Sequence, residues 1–380
     1  MANLKQLADA AHVPMLTAYA ALRGDANVPP AERARVLDAA ATQGYTLNIT
    51  IRDVAALAGV SVGTVSHVLN DSPLTRPDTR DRVLQAISDL GYRRNSIARG
   101  LKSHQSRLIG YGWHSAEDPI RRNALLDRFL YDIAQAAEAR GYHILTFAQA
   151  DTSNTLGYAE LIQSARVDGF VLSDLAYDDP RVAFLASQDV PFVLFGESPG
   201  APPAPVVDID GCLGMRLAVE HLLAGGHRQI GLLNWPHGMR IGDRREQGYR
   251  EALAAAGIPT RPELIGYTRN AVDSALLATQ KLLAAQPRPT AIACANDVMA
   301  LGVMRALELA GLRVGADVAV TGYDDTPVAD LLGLTSVRQP IDVVASALIA
   351  MLVEAIQGVD TPARAVLLNP SLVVRASSSV

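Results

Sequence analysis

ITIRDVAALAGVSVGTVSHVLN (residues 49–70) carries two short helical signals separated by a glycine. Thr50 stands as an N-cap with Asp53 three residues on, and Val54, Leu57 and Ala58 follow as an apolar face. Gly59 ends that segment, and Ser61 caps the next, whose apolar residues are Val65, Val68 and Leu69. Two helices joined by such a turn have the pattern of a helix-turn-helix, whose second helix enters the DNA major groove. Val62, Gly63 and His67 fall opposite the apolar face. Val62 offers apolar contact, Gly63 close backbone approach, and His67 a donor or acceptor for a base edge. Thr64 and Ser66 suit phosphate oxygens, which position a helix without reading sequence. A third helix is expected from a Thr75 N-cap, with Asp78 completing a capping box and Pro77 in the first turn, through Val83, Leu84 and Ile87 to Gly91.

Toward the N-terminus the same pattern recurs without gaps at a shift of 47 residues. Val13 falls on Val60, Thr17 on Thr64, Arg35-Val36-Leu37 on Arg82-Val83-Leu84, and Gly44-Tyr45 on Gly91-Tyr92. Two tandem helical modules are therefore expected, 1–47 and 48–93, with Tyr45 and Tyr92 closing their small cores. The first is degenerate. Met15, Leu16 and Ala20 stand where Val62, Gly63 and His67 stand in the second, Pro14 replaces Ser61, and Tyr19 replaces Ser66. Residues 1–49 carry no net charge, whereas 50–107 hold nine basic against five acidic side chains and the remainder of the chain is acidic. That balance gives the second module a polyanion as its natural partner. The first is expected to bury Met15, Leu16 and Tyr19 against the second module, a partner subunit or another protein instead of reading DNA.

From Arg107 the texture changes to alternating strands and helices. Candidate strands are Leu108–Tyr111, His143–Phe147, Gly169–Ser173, Phe192–Phe195, Gln229–Leu233, Ala291–Ala295 and Val318–Thr321. Amphipathic helices lie between them, among them Leu125–Arg140, Gly214–Ala224, Asp243–Ala256 and Asp297–Ala310. Such alternation signals parallel sheets flanked by helices, and its length calls for two lobes. Hydrophobic residues at 49% and charged residues at 19% fit a globular protein and not a disordered one. No run is long enough to span a membrane. The N-terminal MANLKQ has no basic-then-apolar signal pattern, and Cys212 and Cys294 read as buried thiols, so a cytoplasmic location is expected. No enzymatic constellation is read: no P-loop, no His-Glu-x-x-His and no nucleophile elbow, and the scattered histidines form no metal site.

The 49–70 run, then Gly91-Tyr92 and NSIARGLKS (95–103), closely resembles the DNA-binding headpiece of the lactose/galactose repressor family. ACANDVMALG (293–302), TGYDD (321–325), TSVRQP (335–340) and PSLVVRAS (370–377) continue the likeness in family order. The resemblance implies a multidomain regulator: all-α helix-turn-helix modules joined by a hinge helix (94–106) to an α/β periplasmic-binding-protein-like domain (107–380). Lobe 1 would span about 107–225 and 338–368, lobe 2 about 226–337 and 369–380. DNA contacts are implied for Thr50, Ser61, Val62, Gly63, Thr64, Ser66, His67 and Asn70, and for Asn95, Ala98, Arg99, Leu101 and Lys102 of the hinge. Leu101 would enter the minor groove, with Arg99 and Lys102 on phosphates, while Gly100 departs from the usual Ser or Ala. A small effector, commonly a sugar, would contact Arg245, Asn296 and Asp324, with Trp113, Asp210 and Gln339 as further candidates. No cofactor is implied. Partners would be a palindromic double-stranded operator and a second subunit, as a homodimer or a tetramer. The rival reading is a cytosolic solute sensor whose headpiece no longer reads DNA.

Overall fold

The computed structural model describes residues 3–45, 49–69, 75–92, 105–114, 124–149, 154–359 and 364–378. The chain divides into two compact units, Met1–Arg99 and Gly100–Val380.

The first unit is helical: α1 (Leu4–Ala11), α2 (Met15–Leu22), α3 (Pro30–Gln43), α4 (Ile51–Ala58), α5 (Val62–Leu69) and α6 (Pro77–Asp89). The first three helices each start 47 residues before their counterparts in the second set. Both sets contribute to one apolar core, in which Leu4, Leu7, Ala18, Tyr19 and Val36 join Val54, Val65, Val83 and Leu90. Tyr19 is buried in this shared core. A Cβ at Gly91, whose φ of +55° suits glycine, would lie 3.0 Å from the Tyr19 hydroxyl. Leu16 stays exposed.

One expected cap is corrected. Thr75 does not start α6; Arg76 is its N-cap and Pro77 its first residue. The φ fixed by proline sets the start one residue later than the Thr75–Asp78 spacing suggested, leaving Asp78 in the first turn, where its charge opposes the helix dipole.

The second unit holds two sheets. Lobe 1 is built on β1 (Leu108–His114), β2 (His143–Gln149), β3 (Gly169–Leu172), β4 (Phe192–Phe195), β5 (Val206–Ile209) and β11 (Ala365–Leu368). Their order is β11-β5-β4-β3-β1-β2, all parallel. Its helices are α7 (Ala124–Glu138), α8 (Leu156–Gln163), α9 (Pro180–Ser187) and, from far along the chain, α15 (Ile341–Ile356). Lobe 2 uses β6 (Ile230–Asn234), β7 (Ile265–Tyr267), β8 (Ala291–Cys294), β9 (Ala319–Asp324), β10 (Thr335–Arg338) and β12 (Ser371–Val373). Their order is β12-β10-β9-β8-β6-β7, parallel except for β12. Its helices are α10 (Gly211–Ala224), α11 (Arg240–Ala255), α12 (Val272–Leu283), α13 (Asp297–Leu309) and the short α14 (Pro327–Leu331).

The first lobe crossing lies earlier than residue 225. Met215, Ala218, Val219 and Leu222 of α10 belong to the lobe 2 core, so the chain changes lobe after β5, near Asp210. The reason is local: Gly248 lets α11 approach so closely that a Cβ there would sit 2.1 Å from the Cys212 carbonyl, and α10 packs on α11. No helix among the described residues is long and apolar enough to cross a membrane.

Candidate functional site

In the first unit, α4 and α5 each start at a side-chain cap. The Ser61 hydroxyl accepts the Thr64 amide at 3.1 Å and lies 2.9 Å from the Thr64 hydroxyl. The Asp53 carboxylate accepts the Thr50 amide at 2.8 Å and the Thr50 hydroxyl at 2.6 Å, fixing the start of α4. With Val65 and Val68 buried, Val62, Gly63 and His67 are exposed, and Thr64 and Ser66 lie half-buried beside them. Asn70, Asn95, Ala98, Arg99, Leu101 and Lys102 lie outside the described residues.

The second unit holds a cavity of about 540 Å³ between its lobes. Both sheets reverse strand order at their first strand, and ligands of such sheets bind outside the strand carboxyl ends at that switch. Leu125, Phe195, Asp208 and Ile209 line one wall, and Trp235, Arg240, Arg245, Asn270 and Tyr323 the other. The lobes are tied across the cleft: Arg240 Nη1 lies 2.9 Å from Asp208 Oδ2, and the Tyr177 hydroxyl donates to Asp243 at 3.1 Å.

Arg245 is the buried cation of this cavity, 2% exposed. Its guanidinium carbon lies 3.5 Å from the Tyr323 ring centroid and 5.2 Å from that of Trp235, within cation–π range. Nη1 donates to the Ala295 carbonyl, Nη2 stands 3.8 Å from Asp324, and Nε has no partner among the described residues. Asp324 closes β9 with φ +106°, a conformation that costs a non-glycine residue about 1–3 kcal/mol. Burial pushes its carboxyl up to about 7, against the pull of Arg245, whose distance is too long to offset the lost hydration. Gln339 Nε2 donates to the same carboxyl at 2.7 Å.

The sequence candidates therefore separate. Arg245 and Gln339 line the cavity, and Asp324 touches both. Arg245 lies in the second turn of α11, because the helix begins at Arg240, ahead of the expected Asp243. Asn296 sits behind the wall: its Oδ1 caps α13 at the Met299 amide, and its Nδ2 donates to Asn270, which does line the cavity. Asp210 caps α10 through the Leu213 amide. Trp113 packs against the lobe 1 core in an edge-type contact with Tyr111 and is not a lining residue; Trp235 is. Sequence reasoning missed Trp235, Asn270, Tyr323 and the Arg240–Asp208 pair. Trp235 directly follows β6 and Tyr323 stands near the end of β9, positions that the strand-end rule for open α/β sheets could have singled out, whereas Asn270 follows a three-residue strand that has no clear sequence signal.

Gly196-Glu197-Ser198-Pro199-Gly200 does have the Gly-x-Ser-x-Gly spacing, which corrects the sequence reading. It is a turn after β4 and leads to β5 instead of a helix. The Ser198 hydroxyl donates to the Ala176 carbonyl at 2.8 Å and accepts the Asp179 amide at 3.1 Å, so it staples two loops.

Comparison with known proteins agrees with this geometry. Residues 50–95 match the model of the bacterial regulatory proteins of the lacI family, and 219–378 that of the periplasmic binding protein-like domain. The HTH-type transcriptional regulator CelR of Thermobifida fusca is 36% identical over 335 residues, covering 86% of this chain and 98% of the relative. The chain belongs to the LacI family of bacterial regulatory proteins. Among solved structures, a CelR–cellobiose complex is similar at TM-score 0.67 and 34% identity, covering 87% of this chain and 100% of that one. The lac repressor dimer bound to operator and the anti-inducer ONPF reaches TM-score 0.77 at 30% identity, with coverage of 88% and 100%. This LacI-family member is thus a helix-turn-helix transcriptional regulator, which sets aside the solute-sensor reading. The headpiece match starts at residue 50, so it covers the second three-helix set and not the first.

Proposed function

We propose that this regulator reads an operator through α5 and answers to a sugar-like effector in the interlobe cavity. The observation that carries the reading is Arg245: a buried guanidinium stacked on Tyr323, with an unpaired Nε, facing a cavity of sugar size. Aromatic side chains of Trp235 and Phe195 suit sugar C–H surfaces, and Arg245, Asn270 and Gln339 supply donors and acceptors for hydroxyls. The CelR–cellobiose complex supports this ligand class.

Val62, Gly63 and His67 contact base edges, while Thr50, Ser61, Thr64, Ser66 and Asn70 hold the phosphate backbone. Residues 94–106 act as the hinge, with Leu101 in the minor groove and Asn95, Ala98, Arg99 and Lys102 around it. Two subunits pair on a palindromic operator, because a half-site reader gains specificity by two-fold pairing. Ligand binding shifts lobe geometry and so hinge spacing; its sign follows from which state the ligand binds better. The protein acts in the cytoplasm, where operator and effector meet, and works without a cofactor or catalytic step.

The first three-helix set is a brace for the second. Its arginines bond within their own set: Arg23 to the Tyr19 hydroxyl, Arg33 to the Asp25 carbonyl and Arg35 to the Ala11 carbonyl. Operator selection from random duplexes, followed by a sugar screen for altered binding, tests the reading. Failure to enrich any palindromic site would overturn it.

A further inference from the structure

The lobe 2 wall of the cavity has more positive charge than a neutral sugar needs. Among the described residues that line it, four are arginines, Arg240, Arg244, Arg245 and Arg269, and two are aspartates, Asp174 and Asp208. Asp208 is engaged by Arg240. Among the described residues, Arg244 donates to the Gln247 side-chain carbonyl, at 3.1 Å, and to no other, and the Arg269 side chain has no hydrogen bond or ion pair.

A second feature points the same way. Gly238, Met239, Arg240 and Ile241, at the N-terminus of α11, all line the cavity. This helix runs sixteen residues, and its N-cap, Met239, provides no side-chain acceptor. The first bond into the helix runs from the Asp243 amide to the Met239 carbonyl, so the amides of Arg240, Ile241 and Gly242 have no acceptor among the described residues. Three neighbouring strand-to-helix junctions differ: Asp179, Asp210 and Asn296 each cap their helix with a side chain. Open amides at a helix N-terminus bind anions through hydrogen bonds and the helix dipole. The buried Arg245, with Nε unpaired, completes the constellation. Asp243, the acidic residue of that first turn, takes the Tyr177 hydroxyl and is not a lining residue.

We propose that the effector carries an anionic group, a carboxylate or a phosphate ester on a sugar, seated between the first turn of α11 and the guanidinium groups of Arg244 and Arg269. Its ring then lies against Trp235 and Phe195. This rests on the reading of the interlobe cavity as the effector site.

Titration calorimetry on the full-length protein tests it in two arms. With inorganic phosphate as the minimal probe, binding is expected in the parent and at least tenfold weaker in Arg244→Gln and Arg269→Gln. With matched sets (glucose, glucuronate and glucose 6-phosphate; galactose, galacturonate and galactose 6-phosphate), an acidic member is expected to bind at least tenfold tighter than its neutral partner. Whether the uronate or the phosphate wins identifies the group. Absence of phosphate binding overturns the proposal, as does a neutral sugar such as cellobiose binding as tightly as any acid and unaffected by Arg269→Gln. In those cases, loss of neutral-sugar binding in Arg245→Lys or Asn270→Ala leaves the cavity standing as the effector site. Survival of binding in both variants removes the cavity reading as well.

Discussion

The backbone amide of Leu4 donates to Oδ1 of Asp53 at 3.1 Å, across 49 residues of chain. The other oxygen of that carboxylate holds the Thr50 amide and hydroxyl. One buried side chain therefore serves the first turn of two helices, α1 and α4, and joins the two three-helix sets. Such a carboxylate answers amides that a helix start otherwise leaves without acceptors.

Replacing Asp53 with Ala strands the Leu4 and Thr50 amides together. Leaving a buried donor unpaired costs about 1–3 kcal/mol. Denaturant unfolding should show a loss of that order in the helical N-terminal unit, while effector binding to the Gly100–Val380 unit persists. A change below about 0.5 kcal/mol, the ordinary range for surface substitutions, would mean that the bond does not hold the sets together.

Arg245 is expected to tolerate no substitution that keeps only its charge. Lysine cannot stack a planar guanidinium on Tyr323 while also reaching the Ala295 carbonyl. Arg245→Lys should weaken effector binding at least tenfold and leave operator affinity without effector within about twofold, since a lost charged hydrogen bond is worth about 1.5–3 kcal/mol. Calorimetry and a gel-shift titration on the same preparation read the two quantities separately.

Asp324 makes stability depend on pH. Its folded value of about 7 stands above the ordinary 3.8, so the folded state holds the proton more tightly than the unfolded chain. The stabilisation is complete below about pH 4 and is lost as pH rises through about 7. Asp324→Asn stays neutral throughout and can still accept from Gln339. Thermal midpoints of the parent should therefore fall relative to the variant between about pH 4 and 7 and run level with it above that. Parallel curves between those two values would place the titration elsewhere.

These residues show where the sequence was legible. Helix starts with a polar cap, at Thr50 and Ser61, could be read from spacing, because a side chain one to three residues away decides them locally. The start of α6 at Pro77 was displaced by the rigid proline ring, and that of α11 at Arg240 has no polar cap to announce it. Arg245 and Asp324, singled out through family motifs, meet at the cavity wall, whereas Trp113 and Asn296 are not among the residues that line it. Whether a strand-end residue faces the cavity or a neighbouring helix depends on packing between distant segments. Asn296 is turned to its own cap, three residues away, and to Asn270, which a distant segment brings up and no local pattern encodes.

His67 is expected to read bases, because it is exposed on the same face of α5 as Val62 and Gly63. His67→Ala should change base preference within each half-site in a binding-site selection. Arg99→Ala and Lys102→Ala should instead lower affinity uniformly and flatten its salt dependence. An unaltered half-site preference for His67→Ala would remove His67 from the readout.

Leu16 separates a bracing role of the first three-helix set from a reading one. It stands in α2 where Gly63 stands in α5, and it remains 41% exposed while Tyr19 is buried. A truncation starting near Asn48 strips Leu4, Leu7 and Tyr19 from the shared core, so it should lose stability; provided that it folds, it should protect the same length of DNA as the full chain. The surface substitution Leu16→Glu avoids that cost to the fold. If α2 lay in a major groove, a carboxylate there would meet phosphate charge and reduce operator affinity well beyond tenfold. Because Arg23, Arg33 and Arg35 are bonded within their own set and residues 1–49 carry no net charge, the expected result is an unchanged footprint and an affinity within about twofold of the parent. A footprint shortened at both outer ends in Leu16→Glu would make the first set a second DNA reader, and the operator correspondingly longer.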